Sequence, residues 1–165
     1  MNIKIHFLDA SAMVKLVVNE RDSEAIQAYF NNSTGPRQFH TNHLCVAEAL
    51  GVLKHKFLLK RKNHQANPKE YFRAVYYLMG FIPQLIQIVP DRLEDLSVTD
   101  ETQHLAKKYH LDFSDALQLC TLKSKFYKGL ANSSRFITAD RNLALAARAE
   151  GLRDAWNCVK DPIPS

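Results

Sequence analysis

Short extended-type runs recur along this chain, each followed by a longer stretch with helical periodicity. The runs are residues 3–8 (IKIHFL), 38–41 (QFHT), 85–89 (LIQIV) and 135–138 (RFIT), and 153–159 (RDAWNCV) is read as a further edge strand. Parallel strands must be joined by a crossover long enough to hold a helix, so strict alternation of strand and helix predicts βαβ units and a mainly parallel sheet. The expected fold class is therefore α/β, a three-layer α/β/α sandwich in which a short sheet is flanked by helices.

The helical stretches carry their own boundaries. Residues 10–18 and 22–31 read as two helices, with Asp22 or Ser23 placed to cap the second. A long helix is expected from Asn42 to Lys60, with Leu44, Ala47, Val52 and Phe57 among its apolar positions, and another from Pro68 to Leu85, since proline suits a first helical turn. Three more follow: one capped at Thr99 or Asp100, one from Ser114 to Tyr127, and one from Arg141 to Glu150 that Gly151 stops. No linker or repeat divides the sequence, so one domain over residues 1–165 is expected.

Composition narrows the class. The chain is 46% hydrophobic and 24% charged, which fits a packed globular protein and not a disordered one. No apolar run approaches the roughly 20 residues of a membrane span, and the N-terminus lacks the pattern of a signal peptide, so a cytoplasmic protein is expected. Cys45, Cys120 and Cys158 are odd in number and far apart, which argues against a disulfide framework and against zinc. His40 and His43, in HTNH, are too weak a pattern for a metal site. The net charge of +5 favours polyanionic partners. Only five glycines, with no glycine-rich phosphate loop, leave nothing to cradle a nucleotide. A haloacid dehalogenase-type site would need an aspartate two positions after Asp9, where Ser11 stands.

The acids are the informative residues. In open parallel sheets functional groups gather beyond the carboxyl ends of the strands. Two strands end there at an aspartate, Asp9 in HFLDAS and Asp140 in FITADRN, and each also precedes a helix that it can cap. Glu48 lies among apolar neighbours in LCVAEALGVL and shares a face with Leu44 and Val52, which predicts a packed environment. A buried glutamate needs a partner or a cation. Asp115 sits in the first turn of an apolar helix, where Asp112 or Ser114 can cap the same end. Four carboxylates brought together at neutral pH would repel one another, and a hard divalent cation would convert them into a site.

The segments FLDASAMVKLVVNE, VAEAL, HLDFSDALQL and FITADRNLALAARAEGL, in this order, resemble the PIN domain family over nearly the whole chain. The nearest likeness is to VapC-type ribonuclease toxins of type II toxin–antitoxin systems. The resemblance implies that Asp9, Glu48, Asp115 and Asp140 are both catalytic residues and ligands of Mg²⁺ or Mn²⁺. Ser11 and Thr138 would orient them, Thr138 as the hydroxyl partner of Asp140. Asp115 is preferred to Asp112 because it directly precedes Ala116-Leu117. The implied activity is hydrolysis of RNA phosphodiester bonds in single-stranded or looped regions, by a homodimer silenced by a small antitoxin. The alternatives are a PIN-fold protein that binds RNA or a partner without cutting, and a solitary RNA-processing nuclease with no antitoxin. Lys54, Lys56, Lys60, Arg61 and Lys62 are candidate contacts to the RNA backbone, and Tyr71, Tyr76, Tyr77 and Phe81 are expected in the core or a dimer contact. Residues 58–90 depart from the compact family pattern, with a polar loop and a long aromatic-rich helix.

Overall fold

In the computed structural model, which describes residues 4–31, 37–59, 65–124 and 134–164, the predicted alternation is realised as a five-stranded, all-parallel sheet. The strands are β1 (Lys4–Leu8), β2 (Arg37–Asn42), β3 (Ile86–Val89), β4 (Ser134–Thr138) and β5 (Trp156–Asn157). Their order across the sheet is β3-β2-β1-β4-β5. The chain thus builds outward from β1 in one direction, then crosses back to place β4 on the other side of β1. That reversal creates a switch point between the carboxyl ends of β1 and β4, where ligands of such sheets characteristically bind.

Among the described residues the helices are α1 (Ala10–Val17), α2 (Glu24–Asn31), α3 (His43–Phe57), α4 (Pro68–Leu85), α5 (Leu96–Tyr109), α6 (Phe113–Lys123) and α7 (Arg141–Ala149). Helices α1–α4 pack together, as do α5–α7, the two groups that crossovers of the usual right hand place on opposite faces. The packing agrees, with α1 against α3 and α4, and α6 against α5 and α7. Covered on both sides, β1 reads as a continuous buried run: Ile5, His6, Phe7 and Leu8 are all buried. Met13, Leu53, Leu78, Leu117, Ile137 and Leu143 fill the two helix–sheet layers. The three cysteines are free and buried. Among the described residues, no helix is long and apolar enough to cross a membrane.

Several boundaries differ from the sequence reading, each for a local reason. Asn42 is the cap of α3 rather than its first residue, its Oδ1 accepting from the Cys45 N–H at 2.8 Å. The helix expected to start at Thr99 or Asp100 starts at Leu96, because the Asp95 carboxylate accepts from the Ser97 N–H at 3.0 Å and from its hydroxyl at 2.7 Å. Residues 21–23 form a 3₁₀ turn ahead of α2, and the Ser23 hydroxyl donates back to the Val18 carbonyl at 2.7 Å instead of capping forward. The expected ends at Ile3, Lys60 and Tyr127 lie outside the described residues. Gly151 follows α7 at φ +90°, a conformation that favours glycine and stops the helix as expected.

In the middle of β1 the core holds an ionisable group. The His6 ring is buried between Tyr29 and Phe39, and its Nε2 faces the Tyr29 hydroxyl at 3.4 Å. That hydroxyl accepts from the Arg135 guanidinium at 2.7 Å, and the Arg37 guanidinium lies 4.4 Å from the Tyr29 ring centre. Burial first, then Arg135, Arg37 and Lys4, hold the His6 pKa down at about 3. The unfolded chain therefore binds a proton here, between that value and the ordinary 6.5, that the native state refuses. Stability contributed by neutral His6 is full above the ordinary pKa and is lost as pH falls through this window. Urea unfolding at about pH 7 and about pH 5 should show His6→Phe losing on the order of 1–2 kcal/mol less than wild type on acidification.

Candidate metal centre at the switch point

Asp9 follows β1 directly and caps α1. Its Oδ2 accepts from the Ser11 hydroxyl, from the Thr138 hydroxyl at 2.7 Å and from the Ser11 N–H at 3.3 Å. Thr138, the last residue of β4, accepts at the same hydroxyl from the Asp140 N–H at 2.9 Å. Ser11 Oγ accepts from the Ala139 N–H at 2.8 Å. The β1–β4 pairing is carried one step further by the Asp9 N–H, which donates to the Ile137 carbonyl at 3.1 Å. These bonds join the two strand ends into one rigid floor. Thr138 thus serves the carboxylate of Asp9 and the backbone, not the carboxylate, of Asp140. Asp140 itself caps α7, accepting from the Leu143 N–H at 2.9 Å, and is exposed.

Glu48 reaches the same region from α3. The buried stripe of that helix is Cys45, Ala49 and Leu53, whereas Ala47 and Val52 are exposed and Leu44 and Glu48 are partly so. Val52 is therefore exposed where a packed face was expected, while Glu48 is half-buried at the edge of a cleft. Glu48 Oε2 accepts from the Ser114 hydroxyl at 3.0 Å, and the same hydroxyl lies 3.0 Å from Asp112 Oδ1. Asp112 caps α6, its Oδ1 accepting from the Asp115 N–H at 2.8 Å.

One carboxylate oxygen each from Glu48, Asp112 and Asp115 can be chosen so that all three lie within 4.8 Å of one another. Asp9 and Asp140 are outside that trio but act on it through their charge. Burial, then Asp9, Asp112, Glu48 and Asp140, push the Asp115 pKa up to about 8. Burial also raises Glu48, with Ser114 lowering it and Asp9 and Asp112 raising it further. None of the ion pairs among the described residues involves any of these five acids. An all-carboxylate set with crowded, uncompensated charge is what a hard divalent cation such as Mg²⁺ or Mn²⁺ requires, and the residues fit one.

Sequence reasoning passed over Asp112 in favour of Asp115. A helix cap and the third residue of the same helix stand side by side, so the spacing in LDFSD carried the signal that both acids project from one helix start. Of the candidate RNA contacts, Lys54 is exposed, Lys56 is paired with Glu20, and Lys60, Arg61 and Lys62 lie outside the described residues. His40 is buried in β2 while His43 is exposed at the start of α3, near Asp91 at 3.7 Å.

No protein-family model matches the sequence, and no curated protein matches it. Among solved structures the chain is similar to the crystal structure of PAE2754 from Pyrobaculum aerophilum, with a TM-score of 0.55 and 18% sequence identity, over 87% of this chain and 84% of that one. At that identity the likeness establishes the α/β/α fold alone.

The charge crowding has a measurable cost. A carboxyl with a raised pKa stabilises the native state below its ordinary value, and that contribution is lost as pH rises through the raised one, here from 3.8 to about 8. This runs opposite to His6 where the two windows overlap. In EDTA at about pH 8, Asp115→Asn should stabilise the protein against urea by on the order of 1–3 kcal/mol, the full shift being discounted because the carboxyl is only partly buried. Divalent metal should stabilise wild type and leave Asp115→Asn nearly unchanged.

Proposed function

We propose that this chain is a Mg²⁺- or Mn²⁺-dependent endoribonuclease of the PIN type, acting in the cytoplasm on single-stranded or looped RNA. The observation that carries the reading is the convergence of Glu48, Asp112 and Asp115 at the switch point, with Asp9 and Asp140 close enough to raise Asp115 further. Glu48, Asp112 and Asp115 would hold the cation, with Asp9 and Asp140 beside them; a bound cation supplies an ionised water as nucleophile and stabilises charge on the phosphate.

The chain's own groups do the positioning. Asp9 is oriented by Ser11 and Thr138, so its carboxylate does not have to reorganise during turnover. Ser114 sets the relation between Glu48 and Asp112 across two helices that approach from opposite layers of the fold. The net charge of +5 draws a polyanion towards a site that is itself acidic, and exposed Lys54 lies on α3 two turns beyond Glu48.

Within this reading the chain is the toxin of a type II toxin–antitoxin pair, working as a homodimer. What supports a protein partner is α4. Tyr71 and Phe81 pack against the core as expected, but Phe72, Tyr76, Tyr77 and Met79 are exposed at 66%, 77%, 49% and 48%. Large apolar side chains left in water along one helix mark an interaction surface.

Purified protein with a mixed single-stranded RNA should cleave it in Mn²⁺ or Mg²⁺ and not in EDTA. Asp112→Asn and Asp115→Asn should abolish cleavage, and Thr138→Val, which removes one of the two hydroxyls that hold the Asp9 carboxylate, should lower it by roughly 10–100-fold. RNA binding without metal-dependent cleavage would identify a binding module instead. Cleavage by a chain whose expression leaves growth unaffected would identify a solitary RNA-processing nuclease.

A further inference from the structure

Beside the acids, a cleft of about 860 Å³ runs along α3. That volume lies in the range of about 300–1,000 Å³ typical of sites for small molecules. One wall is a single helix stripe, Glu48, Gly51, Val52 and His55, at the i, i+3, i+4, i+7 spacing that aligns residues on one face. Lys56, Phe57, Gln65 and Asn67 complete the lining. Glu48 belongs both to this cleft and to the carboxylate trio, so the two are continuous.

Gly51 needs explaining. It stands in the middle of a helix, where glycine weakens the structure relative to alanine. A Cβ built there would meet nothing within 4 Å, so no neighbouring group demands the missing side chain. What glycine does provide is a bare turn of backbone next to an exposed valine, a flat surface that a planar group can approach closely. The charge along the stripe is also graded. Acids stand at one end, while His55 stands about 10 Å further along the helix axis, with Lys56, paired to Glu20, next to it.

Resting on the nuclease reading above, we propose that this cleft seats the nucleotide adjoining the scissile phosphate of a single-stranded RNA. Its base lies over Gly51 and Val52, and its edge faces the amide of Gln65. The phosphate on one side is held at the carboxylate–cation centre and the next is met by His55, with Lys56 beside it. Asn67, at the rim, also caps α4, its Oδ1 accepting from the Glu70 N–H at 3.2 Å.

The test is fluorescence anisotropy of a labelled, mixed-sequence RNA octamer with the full chain in Ca²⁺, run beside Mn²⁺ titration by electron paramagnetic resonance. Gly51→Leu fills the cleft, and as a better helix former it should melt no lower than wild type. Its Mn²⁺ affinity should match wild type while its RNA affinity falls about tenfold, the loss expected when one base leaves its platform. Gly51→Ala should fall between the two. Equal RNA affinity in Gly51→Leu, or no RNA binding by a wild-type protein that binds Mn²⁺, would overturn the cleft assignment and leave the metal centre standing. Loss of Mn²⁺ binding in Gly51→Leu would also overturn it, by making Gly51 part of the metal centre. A wild-type protein that binds no Mn²⁺ would remove the nuclease reading beneath it.

Discussion

The bond from the Thr138 hydroxyl to the Asp9 carboxylate, 2.7 Å long and buried, is the contact on which the rest of the site depends. It ties the carboxyl ends of the two strands that flank the switch point. It also orients the acid at the foot of the acidic region, and through the Asp140 N–H it sets where α7 begins. A buried carboxylate is tolerated at this position because it accepts from two hydroxyls and caps a helix. The same groups therefore serve the fold and the site, and neither can be altered alone.

The acids above that floor are in the opposite condition. Among the described residues Glu48, Asp112 and Asp115 share one serine hydroxyl and one backbone N–H between them, and the charges that raise Asp115 are the acids Asp9, Asp112, Glu48 and Asp140. Evolution does not crowd carboxylates at the mouth of a parallel sheet for stability, since each ionisation opposes the next. Such an arrangement is stable with charge brought from outside. On the proposed reading, the cost of this crowding and an affinity for a divalent cation are two sides of one electrostatic fact.

How much of this was legible in the sequence varied with the kind of signal. Strand ends at Asp9 and Asp140 were readable because an apolar run that stops at an acid fixes both the element and its mouth. The helix from Pro68 to Leu85 was read with both ends as found, since proline opens it and its apolar period is regular. Helix α3 was readable as a helix but not for its orientation. Nearly every position from Leu44 to Leu53 is apolar, so periodicity could not tell the buried stripe of Cys45, Ala49 and Leu53 from the open flank of Glu48 and Val52. The cap at Asp95 was hidden by Leu96, an apolar residue that is 80% exposed. Asp112 was hidden by its neighbour, because a choice between two acids three apart was posed where the geometry uses both.

The proposed cation site is a trio, Glu48, Asp112 and Asp115, with Asp9 and Asp140 acting on it through their charge. Its most direct test is an anomalous-difference map from a crystal of this protein soaked in Mn²⁺. A peak bounded by the carboxylates of Glu48, Asp112 and Asp115 is the expected result. Saturating Mn²⁺ with no peak there, or a peak held elsewhere, would contradict it.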